Sequence, residues 1–192
     1  STEGYQWNPS ITALSNGEFV VSWDSGQDGE TTDIYAQRYD ATGAALGGEF
    51  RVNATTAGRQ EIPSITALSN GGFVVSWQSD GQGGSYRGIY AQRYGANGVA
   101  QGNEFKVNAT TINDQFGPSI TALAKGGFVV SWTSYTESDE RWDVYAQRYD
   151  ANGVAQGNEF RVNTTTLLEQ SNPSITALSN GGFVVSWTSY SQ

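Results

Sequence analysis

The sequence predicts an all-β fold built from tandem four-stranded units. The first reason is a stretch that occurs four times in the chain: Pro-Ser-Ile-Thr-Ala-Leu, a short link, and Phe-Val-Val-Ser-Trp or a close variant. The second reason is that no segment long enough for a helix places apolar residues at a helical period. The copies recur at intervals of about 55 residues, at Pro9–Trp23, Pro63–Trp77, Pro118–Trp132 and Pro173–Trp187.

A repeat that runs through the whole chain argues for one domain, because each unit buries its apolar face only against its neighbours. The hydrophobic content of 37% and the aromatic content of 12% are sufficient for such a core and argue against disorder. We therefore expect a single repeat domain over residues 1–192. Its units are the repeats 9–62, 63–117 and 118–172 and a half repeat, 173–192.

Each repeat opens with a predicted hairpin. In the first repeat, strand one is Ser10–Leu14, which starts after a proline because proline cannot donate a hydrogen bond inside a sheet. Ser15–Gly17 then supplies a tight turn. In strand two, Phe19–Trp23, Phe, Val and Trp alternate onto one face while Val20 makes the other face partly apolar. Two apolar faces indicate a sheet that is covered on both sides.

A second hairpin completes the repeat. A variable loop leads to strand three, Ile34–Tyr39, and the turn Asp40–Gly43 offers a side-chain acceptor and residues that tolerate a left-handed backbone. Strand four is Glu49–Asn53. The later copies of strands three and four are Ile89–Tyr94, Glu104–Asn108, Val144–Tyr149 and Glu159–Asn163.

A β-propeller-like array of four-stranded antiparallel blades, with about three and a half repeats, accounts for these strands. Its blades explain the repeat length, the two-sided burial and the repetition together. A β-trefoil would leave the fourth hairpin without a role, and separate sandwiches would need roughly 100 residues each. An open β-solenoid is the alternative.

The repeat also resembles known proteins. The unit Gly72–Trp77, followed by Ile89–Tyr94 and Glu104–Asn108, resembles the repeats of very large secreted bacterial surface proteins, often RTX-type adhesins. This resemblance implies a secreted or cell-surface location in a bacterium and a non-enzymatic scaffold or adhesion module. More distantly, the Pro-Ser-Ile, Gly-Gly-Phe-Val-Val and Tyr-Asp-x-x-Gly elements are similar to the blades of sialidase-like propellers with Asp-box turns. The second similarity implies only the fold, because no arginine stands directly before the first-strand prolines.

The composition excludes several classes of function. The chain has no Cys and no His, so it forms no thiolate or imidazole metal site, no disulfide and no Ser-His nucleophile system. Its net charge of −9, with ten scattered Lys and Arg, argues against a nucleic-acid partner. No apolar run is long enough to span a membrane and no signal pattern opens the chain. We therefore expect a mature or excised soluble segment without membrane insertion.

Two sets of loops diverge between the repeats: those joining strands two and three, and those joining one repeat to the next. Because strand direction alternates, both sets lie on one face, where a rigid scaffold commonly carries a binding site. Tyr86, Tyr135 and Trp142 lie on these loops beside Asp, Ser and Gly residues. We predict that these rings bind a glycan or another cell-surface ligand. A glycan-binding lectin is thus the alternative to a scaffold or adhesion module.

The same loops carry acidic residues that suit calcium, which takes six to eight oxygen ligands. The candidate metal ligands lie in two loops, and their spacing differs from that of an EF-hand. The fold itself requires no cofactor, so calcium is a possible ligand rather than a necessary one. The candidates are Asp24, Asp28, Asp33, Asp139 and Asp143.

Paired carboxylates are the catalytic groups of many glycosidases. In this chain, however, the glutamates of strand four recur in every complete repeat, which indicates an architectural role. We expect them to pair across the hairpin with the recurring arginines of strand three, and we expect no enzymatic activity. The residues are Glu49, Glu104 and Glu159, with Arg38, Arg93 and Arg148.

The number of hairpins predicts an assembly. The last repeat lacks strands three and four, and Ser1–Trp7 contains no copy of strand four that could replace them. Strand two of the last repeat, Phe183–Trp187, would therefore expose unpaired backbone groups along an apolar edge. We expect a homo-oligomer that forms through the chain ends, about a two-fold axis at which the terminal hairpins complete each other's sheet.

Overall fold

The computed structural model of the chain describes residues 4–27, 31–82, 86–136, 140–164 and 168–190. Within these ranges the chain forms strands and turns, and no helix is present that could cross a membrane. The strands are β1 (Gln6–Ala13), β2 (Phe19–Ser25), β3 (Asp33–Tyr39), β4 (Phe50–Arg51), β5 (Gln60–Ala67), β6 (Phe73–Ser79), β7 (Gly88–Tyr94), β8 (Phe105–Lys106), β9 (Gln115–Ala122), β10 (Phe128–Thr136), β11 (Arg141–Tyr149), β12 (Phe160–Arg161), β13 (Gln170–Ala177) and β14 (Phe183–Ser189).

The strands form three four-stranded sheets and one two-stranded sheet. In each sheet, strands that follow one another in the sequence pair antiparallel. The three complete sheets are β1–β4, β5–β8 and β9–β12, and the last is the hairpin β13–β14. The predicted array of four-stranded blades with a terminal half repeat is confirmed.

Strands two and three are the best-paired part of each repeat. In the first repeat they are in register from Phe19 opposite Tyr39 to Ser25 opposite Asp33. All seven residues of β6, in the second repeat, are buried. Both faces of this sheet are therefore covered, as the apolar residues on both faces of strand two predict.

Strand one starts earlier than the sequence predicted. β1 begins at Gln6, so Pro9 lies inside the strand rather than before it. The register shifts between Trp7 and Ser10, which marks a β-bulge. The residue before the proline has a left-handed backbone, with φ of 50° at Asn8 and 54° at Ile62. A bulge leaves one residue outside the hydrogen-bond ladder, so a proline fits there without the loss of a bond.

Strand four is shorter than predicted, with β4 covering Phe50–Arg51 alone. Beyond β4, the side chain of a buried asparagine replaces a backbone carbonyl as the hydrogen-bond acceptor: Asn53 Oδ1 accepts the N–H of Ile34 at 2.7 Å. Asn108 makes the same bond to the N–H of Ile89 at 2.8 Å. The backbone hydrogen bonds of strand four therefore end before Asn53, the residue at which the sequence pattern predicted the end of the strand.

The sheets stack face to face by one rule. One face of each sheet carries small aliphatic side chains, Val20 and Ile34 in the first repeat, and is called the aliphatic face. The other carries rings, Phe73, Trp77 and Tyr94 in the second repeat, and is called the aromatic face. The aliphatic face of each repeat packs on the aromatic face of the next, which gives three hydrophobic clusters.

The first strands of neighbouring repeats lie side by side and are joined by hydroxyl groups. Ser10 Oγ accepts the N–H of Ile65 at 3.2 Å, and Thr12 Oγ1 accepts the N–H of Ala67 at 3.0 Å. Side-chain hydroxyls thereby satisfy backbone donors on the free edge of the next strand one. The later counterparts are Ser64 with Ile120, Ser119 with Ile175, and Thr66 with Ala122.

The strand-four glutamates join neighbouring repeats rather than the two strands of a hairpin. Glu104 accepts the N–H of Ala54 at 2.7 Å and the hydroxyl of Thr55 at 2.6 Å, both in the preceding repeat. Glu159 binds Ala109 and Thr110 in the same way. These glutamates therefore cap the exit of strand four in the repeat before their own.

The predicted pairing of these glutamates with the strand-three arginines is wrong. Arg38 instead forms an ion pair with Glu18 at 2.7 Å and donates to the carbonyl of Asn97, in the next repeat, at 2.9 Å. Arg93 donates to the carbonyl of Asn152 in the same manner. These two arginines thus connect strand three of one repeat to the turn between strands three and four of the next repeat.

Candidate functional site

The divergent loops and the links between repeats lie together on one face. Gly26 N–H donates to the carbonyl of Tyr5 at 3.1 Å, and Gln60 N–H donates to the carbonyl of Thr32 at 2.9 Å. The loop after strand two therefore contacts the start of strand one in its own repeat and in the next. We call this surface the divergent face.

A glutamine at the start of strand one fixes the divergent face to the core. Gln60 is fully buried, and its Oε1 accepts the indole N–H of Trp77 at 2.9 Å. The same pair forms between Gln115 and Trp132 at 2.8 Å. Because side chains alternate along a strand, the residues on either side of this glutamine point to the opposite side of the strand.

In the first repeat those flanking residues are aromatic. The rings of Tyr5 and Trp7 stack with centroids 5.4 Å apart and an interplanar angle of 18°. They are 74% and 55% exposed. They border a cleft of about 270 Å³, which is completed by Gly26, Thr31, Thr32, Arg59 and Glu61.

Tyr5 and Trp7 were not among the predicted site residues, because Ser1–Trp7 contains no copy of a repeated strand that would have marked them. The signal that would have found them is their position beside the repeated glutamine. At the same two places the other repeats carry different kinds of residue. The pairs are Tyr5 with Trp7, Arg59 with Glu61, Asp114 with Phe116, and Glu169 with Ser171.

Two of the three predicted ligand-binding rings do meet. Tyr135 and Trp142 face each other across the β10–β11 hairpin, with centroids 4.9 Å apart in an edge-to-face arrangement. Phe116 contacts the other side of Trp142 at 4.8 Å. Tyr135 also borders a second cleft on the divergent face, of about 190 Å³, together with Thr110 and further residues of the same loops.

The third predicted ring, Tyr86, stands apart from this pair. It is 47% exposed and makes no ring contact with Tyr135 or Trp142. The divergent face thus carries two aromatic clefts, and the sequence located one of them.

Larger grooves lie outside the divergent face, between the outer strands of neighbouring repeats. One of them has a volume of about 690 Å³ and is bordered by Asn53, Tyr94 and Glu104. The same residue types recur at these places in each complete repeat, and they form hydrogen bonds between neighbouring repeats. Tyr94, for example, donates its hydroxyl to the carbonyl of Val52 at 3.0 Å. Their role is to join repeats, so we place the candidate site on the divergent face.

The structure separates the predicted metal ligands that it describes. Asp24 lies opposite Ile34, and Asp33 lies opposite Ser25, so the two carboxylates point to opposite faces of the β2–β3 hairpin. Asp28 and Asp139 lie outside the described residues. In the described part of the chain, no three acidic residues converge in a way that could hold a metal ion.

Asp33 and Asp143 already have partners of their own. Asn53 Nδ2 donates to Asp33 Oδ1 at 2.5 Å, and Arg51 lies 3.9 Å from the same carboxylate. At the equivalent place in the third repeat, Asn163 Nδ2 donates to Asp143 at 2.6 Å. These contacts give both aspartates a structural role, and calcium binding stays a prediction.

Asp24 is a buried acid at a junction between repeats. It is 1% exposed. Burial raises the pKa of Asp24, while hydrogen bonds from the Asn8 side chain and the Ile62 backbone act in the opposite direction. Neutral groups take its place at the next two junctions: Gln78 Oε1 accepts the N–H of Gly117 at 3.2 Å, and Thr133 Oγ1 that of Asn172 at 3.1 Å.

We expect Asp24→Asn to raise the melting temperature at pH 7 and to change it little near pH 3. The raised pKa means that the folded state binds this proton more tightly than the unfolded state. Stability therefore falls as the pH rises through the ordinary and then the raised pKa, and an amide avoids that loss. Each kcal/mol corresponds to about 2–4 °C in a chain of this size. Melting curves at both pH values, with Asp80→Asn as an exposed control, test this; equal shifts at both would contradict it.

The fold has clear counterparts among solved structures, although no protein-family model and no curated protein matches the sequence. An endo-arabinase from Bacteroides thetaiotaomicron aligns over 97% of this chain and 72% of its own, with a TM-score of 0.61 at 13% identity. An α-L-arabinanase from Penicillium chrysogenum, solved with arabinobiose, aligns over 96% of this chain and 53% of its own, with a TM-score of 0.64 at 16% identity. The fold is that of a β-propeller.

A third counterpart is a sialidase, Hadza microbial sialidase Hz136. It aligns over 88% of this chain and 39% of its own, with a TM-score of 0.64 at 10% identity. The predicted similarity to sialidase-like propellers is thereby confirmed for the fold. No comparison bears on the resemblance to RTX-type adhesin repeats, which stays a prediction together with the secreted or cell-surface location.

These matches contradict the prediction that the chain is not an enzyme. A family-43 glycoside hydrolase, an α-L-arabinofuranosidase and a xylan β-1,4-xylosidase also share the fold. At 10–16% identity the three counterparts described above show the fold alone, and the chain spans 39–72% of their lengths.

Proposed function

We propose that this propeller chain binds saccharides on its divergent face, in the cleft beside Tyr5 and Trp7. The observation that carries the proposal is the stacked, exposed ring pair next to hydrogen-bonding and charged groups. Exposed aromatic rings are expensive to leave in water unless they serve a contact, and Tyr and Trp combine an apolar face with a polar edge.

The composition of the cleft suits a sugar. A pyranose or furanose ring offers C–H groups on its faces and hydroxyl groups around its rim. The former would pack on Tyr5 and Trp7, and the latter would bind Thr32, Arg59 and Glu61. Arg59 lies 3.8 Å from Glu61, and their side chains are 65% and 25% exposed, so Arg59 is the more accessible of the two to a ligand. A volume of about 270 Å³ is at the low end for small-molecule sites and favours one or two sugar units.

The second cleft would add another contact of the same kind. Tyr135 and Trp142 lie on the same face, in the third repeat, with Thr110 and Ser134 beside Tyr135. Two weak sites on one rigid scaffold bind a polymeric saccharide far more tightly than either site alone. Such binding would provide the adhesion role that the sequence predicts for a surface module.

The solved counterparts suggest which saccharides to test first. The Penicillium chrysogenum arabinanase was solved with arabinobiose, and other counterparts are named for arabinan or xylan cleavage. We therefore choose arabino-oligosaccharides and xylo-oligosaccharides as probes, together with a panel of bacterial and plant glycans.

Cleavage of glycosidic bonds is the second candidate function. Glu61 borders the cleft, and Asp24, whose pKa is raised by burial, lies behind it at the Ile62 backbone. Two carboxyl groups in contrasting environments are what an acid and a base or nucleophile require in glycoside hydrolysis. Release of reducing ends from arabinan by the wild type, and its loss in Glu61→Gln, would support this function.

Titration calorimetry with each probe tests the binding proposal. We expect the wild type to bind at least one saccharide in the micromolar to millimolar range. Trp7→Ala and Tyr5→Ala should weaken binding at least about 10-fold, because aromatic contacts of this kind contribute on the order of 1 kcal/mol or more each.

Tyr190→Ala is the matched control, because Tyr190 is an exposed ring, at 54%, outside both clefts. It should leave the affinity unchanged. Absence of heat with every probe at millimolar concentration would contradict the proposal. Equal affinity in Trp7→Ala and wild type would show that the binding site does not lie in the first cleft.

A further inference from the structure

The aromatic face of the first repeat is not covered by another repeat within the described residues. The aromatic faces of the later repeats are each covered by the repeat before. Ile11 is 64% exposed, whereas its counterpart Ile65 is 6% exposed. Phe19 and Trp23 are half-buried, whereas Phe73 and Trp77, in the same places of the second repeat, are fully buried. We call this surface, formed by Ile11, Phe19, Val21, Trp23 and Tyr39, the head face.

The half repeat presents the opposite surface at the other end of the array. Val184 is 50% and Leu178 is 40% exposed, whereas their counterparts Val74 and Leu68 are 0% and 5% exposed. Ser174 and Thr176, the counterparts of the hydroxyl groups that accept backbone N–H groups between inner strands, are exposed as well. These four residues form what we call the tail face.

The three internal junctions show what covers each of these surfaces. Every aromatic face inside the chain is covered by the aliphatic face of the repeat before it. The head face is an aromatic face, and the tail face is the inner half of an aliphatic face. The two ends of this array are therefore the two halves of an interface that the chain itself builds three times.

Polar groups on the two faces match in the same way. Within the array, serine and threonine hydroxyls of strand one accept the N–H groups of the next strand one, as Ser10 does for Ile65 at 3.2 Å. In this register, the N–H groups of Ile11 and Ala13 have no such hydroxyl acceptor within the described residues. At the other end, Ser174 Oγ and Thr176 Oγ1 have no such N–H donor there. Contact between the two faces would satisfy both pairs.

Neither face opposes such contact electrostatically. All the residues that define the head face and the tail face are uncharged. Burying them costs no desolvation of an ion, even though the chain as a whole carries a charge of −9.

We propose that a second copy of this chain binds head to tail, with the tail face of one copy on the head face of the other. The contact repeats the internal junction, and its register is set by the hydroxyl and N–H pairs. Two copies together hold six four-stranded and two two-stranded sheets, eight in all. A ring of eight lies within the range of four to eight blades that propellers use. Both head faces and both tail faces are covered when this ring closes.

This arrangement differs from the edge pairing that the sequence predicted. In edge pairing, the free edge of β14 would pair with its own copy across a two-fold axis, and the head face would take no part. The two arrangements therefore respond differently to a charge placed on the head face, and one experiment distinguishes them.

The experiment measures the mass of the chain by sedimentation velocity between 1 and 100 µM. Three arginine substitutions are compared: Ile11→Arg on the head face, Val184→Arg on the tail face, and Val154→Arg as a control. Val154 is 58% exposed and lies on neither face, so it matches the other two in exposure. Circular dichroism confirms that each variant keeps its strands, which exposed positions should tolerate.

We expect the wild type and Val154→Arg to sediment at twice the chain mass of 20.6 kDa. Ile11→Arg and Val184→Arg should each weaken association about 100-fold or more, since each buries an unpaired charge. A mixture of these two variants should associate again through one junction, because Ile11→Arg supplies an intact tail face and Val184→Arg an intact head face. The second junction, which would bring the two arginines together, should stay open. A wild type that stays monomeric at 100 µM overturns the proposal, as does a mixture that fails to associate. Association that survives Ile11→Arg but not Val184→Arg also overturns it, in favour of edge pairing through β14.

Discussion

Replacing Trp77 with alanine is expected to lower the free energy of unfolding by about 4 kcal/mol, the usual cost of removing a fully buried tryptophan. Trp77 is 0% exposed and packs between the first and second repeats. Its removal leaves a cavity at that junction and deprives the buried Gln60 Oε1 of its donor. With total stabilities of 5–15 kcal/mol, such a loss brings a domain close to unfolding.

The chain contains its own control for this experiment. Trp187 makes the same bond, to Gln170 at 2.8 Å, but is 37% exposed because its repeat lacks strands three and four. Trp187→Ala should therefore cost about 1–2 kcal/mol. Urea unfolding followed by circular dichroism measures both. Equal losses would contradict the view that stacking between repeats, rather than the bond to glutamine, supplies most of the stability.

The second large effect is expected at Asn53. Its side chain accepts the N–H of Ile34, and its Nδ2 donates to Asp33 and to the carbonyl of Thr55. Asn53→Leu removes all three bonds at a site that is 2% exposed. We expect a loss of about 3–4 kcal/mol, because a buried N–H stays unsatisfied and a buried carboxylate loses a donor.

Asn108→Leu is the matched comparison, because Gly88 takes the place of Asp33 in the second repeat and offers Asn108 no carboxylate. Without a carboxylate the loss should be about 2 kcal/mol. Adding Asp33→Gly to Asn53→Leu should recover most of the difference. Identical losses in the two repeats would show that the aspartate contributes nothing to this network.

Much of the architecture followed from the repeated stretch. In the first two repeats, strands two and three were placed within two residues of their observed ends, since their apolar alternation reflects burial on both faces. In the third repeat, β10 ends four residues later and β11 begins three residues earlier than predicted. The ends of strands one and four did not follow from this alternation, because side chains and a bulge decide them. The left-handed backbone at Ile62, φ 54°, runs against the preference of a β-branched residue and leaves no mark in the sequence.

Contacts between repeats were the hardest to predict. Periodicity shows that Arg38 and Glu104 each recur, but it does not show whether a partner lies in the same repeat or in the next one. The structure gives Arg38 one partner in its own repeat, Glu18, and one in the next repeat, Asn97. Glu104 binds Thr55 in the preceding repeat. A sequence with identical repeats contains no information that separates the two arrangements.

The candidate site was predicted in part for the same reason. Tyr135 and Trp142 stood out because they lie where the sequence diverges between the complete repeats, and their rings do lie together. Tyr5 and Trp7 were overlooked because the segment before Pro9 gave no strand pattern. Because side chains alternate along a strand, both rings lie on the side of the chain opposite to Gln6, at the start of β1.

The most direct test of saccharide binding on the divergent face is a titration followed by two-dimensional NMR of the six tryptophan indole N–H groups. Those of Trp77, Trp132 and Trp187 are hydrogen-bonded to glutamines, whereas Trp7 is exposed in the cleft. With an arabino- or xylo-oligosaccharide that binds, we predict a saturable shift of the Trp7 signal and none at Trp77 or Trp132. Shifts confined to other signals, with Trp7 unmoved at saturation, would contradict the account.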